Sequence, residues 1–107
     1  MFIALYHWKV KEGHEKNFLE GWHRRTEEIY HHCGSLGSRL HKSEDGTWVA
    51  YAQWPDRETY DAAQNIPVID VEARRVFRES IEEAYPDIYM NVIDDLLKAE
   101  VFIRQKT

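Results

Sequence analysis

The run Gly46-Thr47-Trp48-Val49-Ala50-Tyr51-Ala52-Gln53-Trp54-Pro55-Asp56-Arg57-Glu58-Thr59-Tyr60 constrains this chain most, because it carries a strand, its stop and a helix start in one stretch. Strict alternation places Trp48, Ala50, Ala52 and Trp54 on one face and Val49, Tyr51 and Gln53 on the other. Pro55 has no N–H for a continuing ladder, so the strand ends there, and Asp56 can cap a helix running to Gln64. Upstream, Asp45-Gly46 is a tight-turn signal between segments 35–42 and 47–54, which therefore read as a hairpin.

The other elements follow from periodicity. Phe2 to Val10 alternates as a strand, with Phe2, Ala4, Tyr6 and Trp8 on one side and Ile3, Leu5 and His7 on the other. Gly13 to His32 reads as a helix through Phe18, Leu19, Trp22, Ile29 and Tyr30, stopped by Gly34. A second helical region opens at Asp56, is interrupted near Pro67 and resumes from Val68 to Ala84 with Ile69, Ala73, Val76, Phe77 and Ile81 as its apolar stripe. Ile88 to Ile93 is a fourth strand. Beyond about residue 95 comes a tail in which Val101, Phe102 and Ile103 suit a short edge strand.

The order β-α-β-β-α-β predicts an α+β, ferredoxin-like antiparallel sheet with both helices on one face. The uncovered face carries Ile3, Leu5, Val49 and Tyr51, a larger apolar patch than a monomer ordinarily leaves in water. A twin subunit stacked sheet to sheet would bury it, so a homodimer is expected.

The 107 residues make one domain, and 43% apolar content gives it a core of its own. Acidic residues outnumber basic ones 19 to 14, for a net charge of −5, with no basic stripe among the aromatics, so nucleic acid is not an expected partner. There is no apolar run of membrane-spanning length and no signal-peptide pattern, and the single Cys33 forbids an intrachain disulfide. These features point to the cytoplasm and away from a membrane.

No glycine-rich phosphate cradle follows a strand into a helix, so no nucleotide or flavin site of known type is legible. His23, Glu27 and His31 share a helix face at metal-ligand spacing but lack HExxH and a fourth ligand, and the consecutive His31, His32 and Cys33 point to different sides. No metal and no cofactor are expected. Four Trp and six Tyr suit a pocket for a flat aromatic molecule, and equally a bulky core.

With its opening strand and helix, its Ser35-Leu36-Gly37-Ser38 entry to the second strand, and Trp54 followed six positions later by Tyr60, the chain resembles the antibiotic biosynthesis monooxygenase (ABM) family of dimeric α/β-barrel proteins over roughly residues 1–95. The resemblance implies a pocket between sheet and helices in each subunit. It places Trp54 at the strand-end pocket Trp, Tyr60 at the pocket Tyr of the polyketide-oxidising branch and Arg74 at a pocket Arg. These are the candidate catalytic residues, and Trp54 and Tyr60 are expected to border one cavity. Tyr6, Trp8, Trp22 and Trp48 complete the expected substrate pocket. The third-strand Asn of that branch is replaced by Ala50, and the haem-degrading branch's helical His has no counterpart between Asn65 and Ala84. His7, on the opposite face, is a possible general base because imidazole titrates near neutrality. The implied function is cofactor-independent oxygenation of a small aromatic or quinol. The alternative is a non-catalytic small-molecule-binding or stress-response dimer of the same fold.

Overall fold

A computed structural model describes residues 1–98. The elements are β1 (Phe2–Val10), α1 (Glu15–His32), β2 (Gly37–Lys42), β3 (Trp48–Trp54), α2 (Arg57–Ala63), α3 (Val71–Glu79), β4 (Ile81–Ala84) and β5 (Ile88–Asn91). All strand pairs are antiparallel, in the spatial order β2-β3-β1, with β4 and β5 both on the far edge of β1. β4 pairs with Trp8–Val10 and β5 with Phe2–Leu5, so the two are successive lengths of one edge strand interrupted at Tyr85-Pro86-Asp87. Counted that way, the topology is the α+β ferredoxin-like unit.

One sequence expectation is corrected here: the last helix does not run to Ala84. It ends at Glu79, and Ile81–Ala84 is a strand. The buried Ser80 turns the chain, donating from its hydroxyl to the Phe77 carbonyl at 2.6 Å while its own carbonyl accepts from Lys11 N–H at 2.9 Å. Phe77 and Ile81 both pack on the same cluster, so their four-residue spacing imitated a helical stripe. The start also shifts. Glu28 accepts from the Ile69 and Asp70 N–H groups at 2.7 and 2.9 Å, and Asp70 then caps α3 through Ala73 N–H, delaying the helix to Val71. The expected strand through Val101, Phe102 and Ile103 lies outside the described residues.

Alternation on β1 and β3 builds the core. Trp8, Trp48 and Ala50 pack with Phe18 in one cluster, and Phe2, Ala4, Ala52, Trp54 and Tyr60 form a second. α1 meets the core through Phe18 and Gly21, while Leu19 and Tyr30 of its expected stripe are exposed. Gly21 is where the two longer helices touch: a Cβ there would stand 2.8 Å from the Phe77 backbone nitrogen. Gly34 ends α1 with φ of +82°, a left-handed conformation that glycine adopts without a Cβ clash. Among the described residues no helix lies on the opposite sheet face. Leu5, Val49 and Tyr51 are half-buried there, and Ile3 is covered at the edge of a groove lined by Met1, Tyr51, Met90 and the segment 92–97.

Candidate functional site

Between the inner face of the sheet and the helices lies a cleft of about 360 Å³, within the size range of small-molecule sites. Its floor is a consequence of the β3 sequence. Ala50 and Ala52 stand between two tryptophans, and their small side chains leave a trough. Tyr6 and Trp8 of β1 form one wall with their rings stacked, centroids 5.8 Å apart and 13° from parallel. Trp22 and Ile29 come from α1, Phe77 from α3, and Trp54 closes the strand end.

Trp54 is 4% exposed and meets Tyr60 edge to face, with centroids 5.4 Å apart. Its Nε1 is buried with no hydrogen-bond partner among the described residues, as is that of Trp48. A buried donor left unsatisfied carries a desolvation cost of about 1–3 kcal/mol, and both indoles bear it. Trp48 differs: it does not line the cleft, packing instead on Phe18 with Lys42 Nζ 5.2 Å from its ring centre.

Of the expected residues, the cleft brings together Tyr6, Trp8, Trp22, Trp54 and Arg74. Trp48, Tyr60 and His7 are not on its lining. Tyr60 sits behind Trp54 and donates to the Tyr89 hydroxyl at 3.1 Å, which donates onward to Asp87 at 3.2 Å. The expectation that Trp54 and Tyr60 border one cavity therefore holds for Trp54 alone, because α2 turns the Tyr60 ring into the core rather than the space beside it. His7 is on the other side of the sheet. Its Nε2 is 2.8 Å from Thr47 Oγ1, whose hydroxyl donates to Asp45, and its ring lies 4.4 Å from that of Tyr85.

The lining also holds residues that the sequence reading passed over: Arg25 and Thr26 on α1, Ser35 and Ser38 at the entry to β2, Gln64 after α2, and Arg78 on α3. A signal for them was available. Trp22, Arg25, Thr26 and Ile29 share one helical face, as do Arg74, Phe77 and Arg78.

Burial pushes the Tyr6 hydroxyl above the ordinary phenol range, opposed by the neighbouring Tyr60 hydroxyl. Burial likewise pushes Tyr60 up to about 12, with the Tyr89 hydrogen bond pulling it back. Both phenols stay protonated near neutrality and act as donors. No Asp, Glu or His lines the cleft among the described residues. The arrangement can therefore hold a flat molecule and stabilise negative charge on it, but among the described residues it offers no carboxylate or imidazole poised as a base.

Elsewhere, His23 and Glu27 form an exposed pair at 3.7 Å. Among the described residues no group of three or more His, Cys, Asp or Glu side chains is placed to hold a metal. Burial pushes the Cys33 thiol up, away from nucleophilic character. No helix of the described residues is long and apolar enough to cross a membrane.

Fold and cleft together define a ferredoxin-like α+β domain with an aromatic pocket between sheet and helices. The sequence profile of the antibiotic biosynthesis monooxygenase family matches residues 1–70, and the chain belongs to that family. The match takes in Trp54 and Tyr60 and stops short of Arg74. No curated protein sequence matches the chain. Among solved structures it is similar to SnoaB, a cofactor-independent oxygenase from Streptomyces nogalater, with TM-score 0.74 and 14% identity over 89% of this chain and 95% of that one. It is also similar to the monooxygenase from the gene ActVA-Orf6 of Streptomyces coelicolor, solved in complex with nanaomycin D, with TM-score 0.70, 20% identity and 92% of each chain covered. Rv0793 from Mycobacterium tuberculosis gives TM-score 0.71 at 12% identity, covering 89% of this chain and 97% of the other. At these identities the likeness is one of fold.

Proposed function

We propose that this chain is a cofactor-independent monooxygenase acting on a small aromatic or quinol substrate in the cleft. The observation that carries the reading is the lining itself. Aromatic walls, a buried Trp54 N–H without a partner and the Arg74 guanidinium surround a space with no carboxylate or imidazole among the described residues. Such a site suits a substrate that supplies its own reducing power. An ionised phenol passes an electron to O₂, the radical pair recombines as a ring hydroperoxide, and loss of water leaves a quinone. One oxygen atom enters the ring and the other leaves as water. The protein's part is to favour the anion by hydrogen bonds and positive charge and to keep water from the intermediates. Trp54 Nε1, Tyr6 and Arg74 are the donors we assign to that task, with Tyr60 positioning Trp54 from behind.

We further infer that the protein works as a homodimer. The sheet face that no helix of the described residues covers keeps Leu5, Val49 and Tyr51 only half-buried, and the segment beside it leaves Ile93, Leu96 and Leu97 at 91, 89 and 80% exposure. A second copy stacked on this face would cover both. His7 would then face the partner sheet and not the substrate.

Oxygen consumption with a panel of hydroquinones tests the activity. The expected result is a rate above autoxidation that survives chelation, rises with pH as the substrate ionises and falls in Trp54→Phe. The second reading, a binding protein with the same cleft, is favoured by Ala50 in place of the expected third-strand Asn. Saturable binding with no rate above autoxidation would establish it.

A further inference from the structure

The chain is acidic as a whole, at −5, yet its cleft is lined by three arginines, Arg25, Arg74 and Arg78, and by no acidic residue among those described. The contrast is sharpest between sequence neighbours. Arg24 forks onto Asp70 at 2.9 and 3.1 Å, and Arg75 is held by Glu72 and Glu79, while Arg25 and Arg74, one step away on the same helices, turn toward the cleft. Arg74 and Arg78 form no ion pair with any described residue. Arg25 has only Glu28, at 3.7 Å, and that carboxylate is already engaged by two backbone N–H groups. Positive charge is thus gathered at the cleft while the chain's own anions are kept out; Arg78 is exposed and Arg25 and Arg74 are half-buried, so an entering anion would meet guanidinium groups without a close carboxylate partner.

Resting on the reading of the cleft as an aromatic pocket, we propose that its ligand is an aromatic acid whose carboxylate is held by Arg25 and Arg78 at the rim, with Arg74 nearer the ring. Guanidinium groups grip a carboxylate through paired N–H donors, and here Arg25 is supplied by α1 and Arg78 by the neighbouring α3. The ring then lies on Ala50 and Ala52 between Tyr6 and Trp54, with its oxidisable end inward. Specificity follows from charge as well as shape: a neutral molecule with the same rings leaves the arginines unpaired.

Isothermal titration of the full chain with 2-naphthoate and with its neutral counterpart 2-naphthylmethanol tests this. The acid is expected to bind about tenfold or more tightly than the alcohol at low ionic strength, and to lose most of that advantage at about 0.5 M salt. Replacing both Arg25→Gln and Arg78→Gln should weaken the acid about tenfold and leave the alcohol within about twofold. The single Arg78→Gln variant, at an exposed position, should show part of the same loss and guards against misfolding of the double variant. Equal binding of acid and alcohol overturns the charge assignment while leaving an aromatic pocket standing. Tight acid binding that ignores both variants also overturns it, by placing the ligand elsewhere. Binding of neither compound overturns the aromatic pocket and this proposal with it.

Discussion

The two faces of one sheet have been put to different uses by alternate residues of the same strands. Along β1 and β3 the inward positions hold Phe2, Trp8, Trp48 and Trp54, all under 10% exposed, closed by helices and hollowed where Ala50 and Ala52 stand. The outward positions hold Leu5, Val49 and Tyr51 with a polar end at His7, Thr47 and Asp45, and no helix of the described residues covers them. The inner face is finished within one chain apart from the cleft, whereas the outer face is apolar and half-open. A cavity inside finished packing invites a small molecule, and an unfinished surface invites another sheet.

The largest effect is expected on the outer face. In the proposed dimer, Leu5→Asp or Val49→Asp would force a charge into the layer between stacked sheets, so the dimer should dissociate or unfold, read by light scattering and circular dichroism. A wild-type protein that scatters as a monomer at micromolar concentration would break the contrast, because the outer face would then be a tolerated surface.

Trp54 gives the corresponding test of the inner face. Trp54→Ala removes a side chain that is 4% exposed, and denaturant unfolding should register a loss of about 3–5 kcal/mol. Trp54→Phe is the more telling variant. It keeps a ring and deletes an indole N–H that has no partner, so stability should change by no more than about 1 kcal/mol while affinity for a ligand acceptor falls about tenfold. A stability loss as large as that of the alanine variant, with binding untouched, would make Trp54 core and nothing else.

Gly21→Ala comes next in size. The added Cβ would stand 2.8 Å from a backbone atom of Phe77, which cannot swing aside as a side-chain tip can, so α1 and α3 must part. A loss of about 1–3 kcal/mol is expected, with weakened ligand binding because the same two helices carry Arg25, Arg74 and Arg78. Unaltered binding in a destabilised protein would show that the cleft tolerates separation of its roof.

The elements that alternation governs were legible in the sequence: both faces of β1 and β3, the Asp45-Gly46 hairpin and the Asp56 cap, which accepts from Thr59 N–H at 2.7 Å. The junction of α3 and β4 was not, because Phe77 and Ile81 reach one cluster from different secondary structures and only the buried Ser80 marks the change. At the site, the aromatic residues of β1 and β3 announced a pocket but not its extent. Trp48 and Trp54 are equivalent by alternation, and what separates them is three-dimensional: Phe18 seals Trp48, while Trp54 is left beside the trough. Arg25 and Arg78 were hidden for a related reason. A charge on an exposed-looking helix reads as solvated until the pairing of Arg24 with Asp70 and of Arg75 with Glu72 shows which arginines have been left over.

The smallest effect is expected at Tyr60, and its size is informative. The ring is 8% exposed and packs on Phe2 and Trp54, while the hydroxyl donates to Tyr89, whose own hydroxyl donates to Asp87. Tyr60→Phe keeps the packing and should therefore change ligand affinity by no more than about twofold, with about 1 kcal/mol lost from stability through the missing hydrogen bond. Tyr6→Phe, whose ring lines the cleft, should weaken binding more. The pH dependence separates the two contributions further. Because the folded Tyr60 pKa is raised from 10 to about 12, its neutral form is favoured by folding, so its contribution is intact below pH 10 and declines as pH rises through about 12. Any rise in oxygen consumption between pH 7 and 9 then does not come from Tyr60; it is expected from the substrate and should persist in Tyr60→Phe. If that rise disappears in the variant, Tyr60 exchanges a proton during turnover, and the partition between a finished core and a working cleft has to be redrawn to include it.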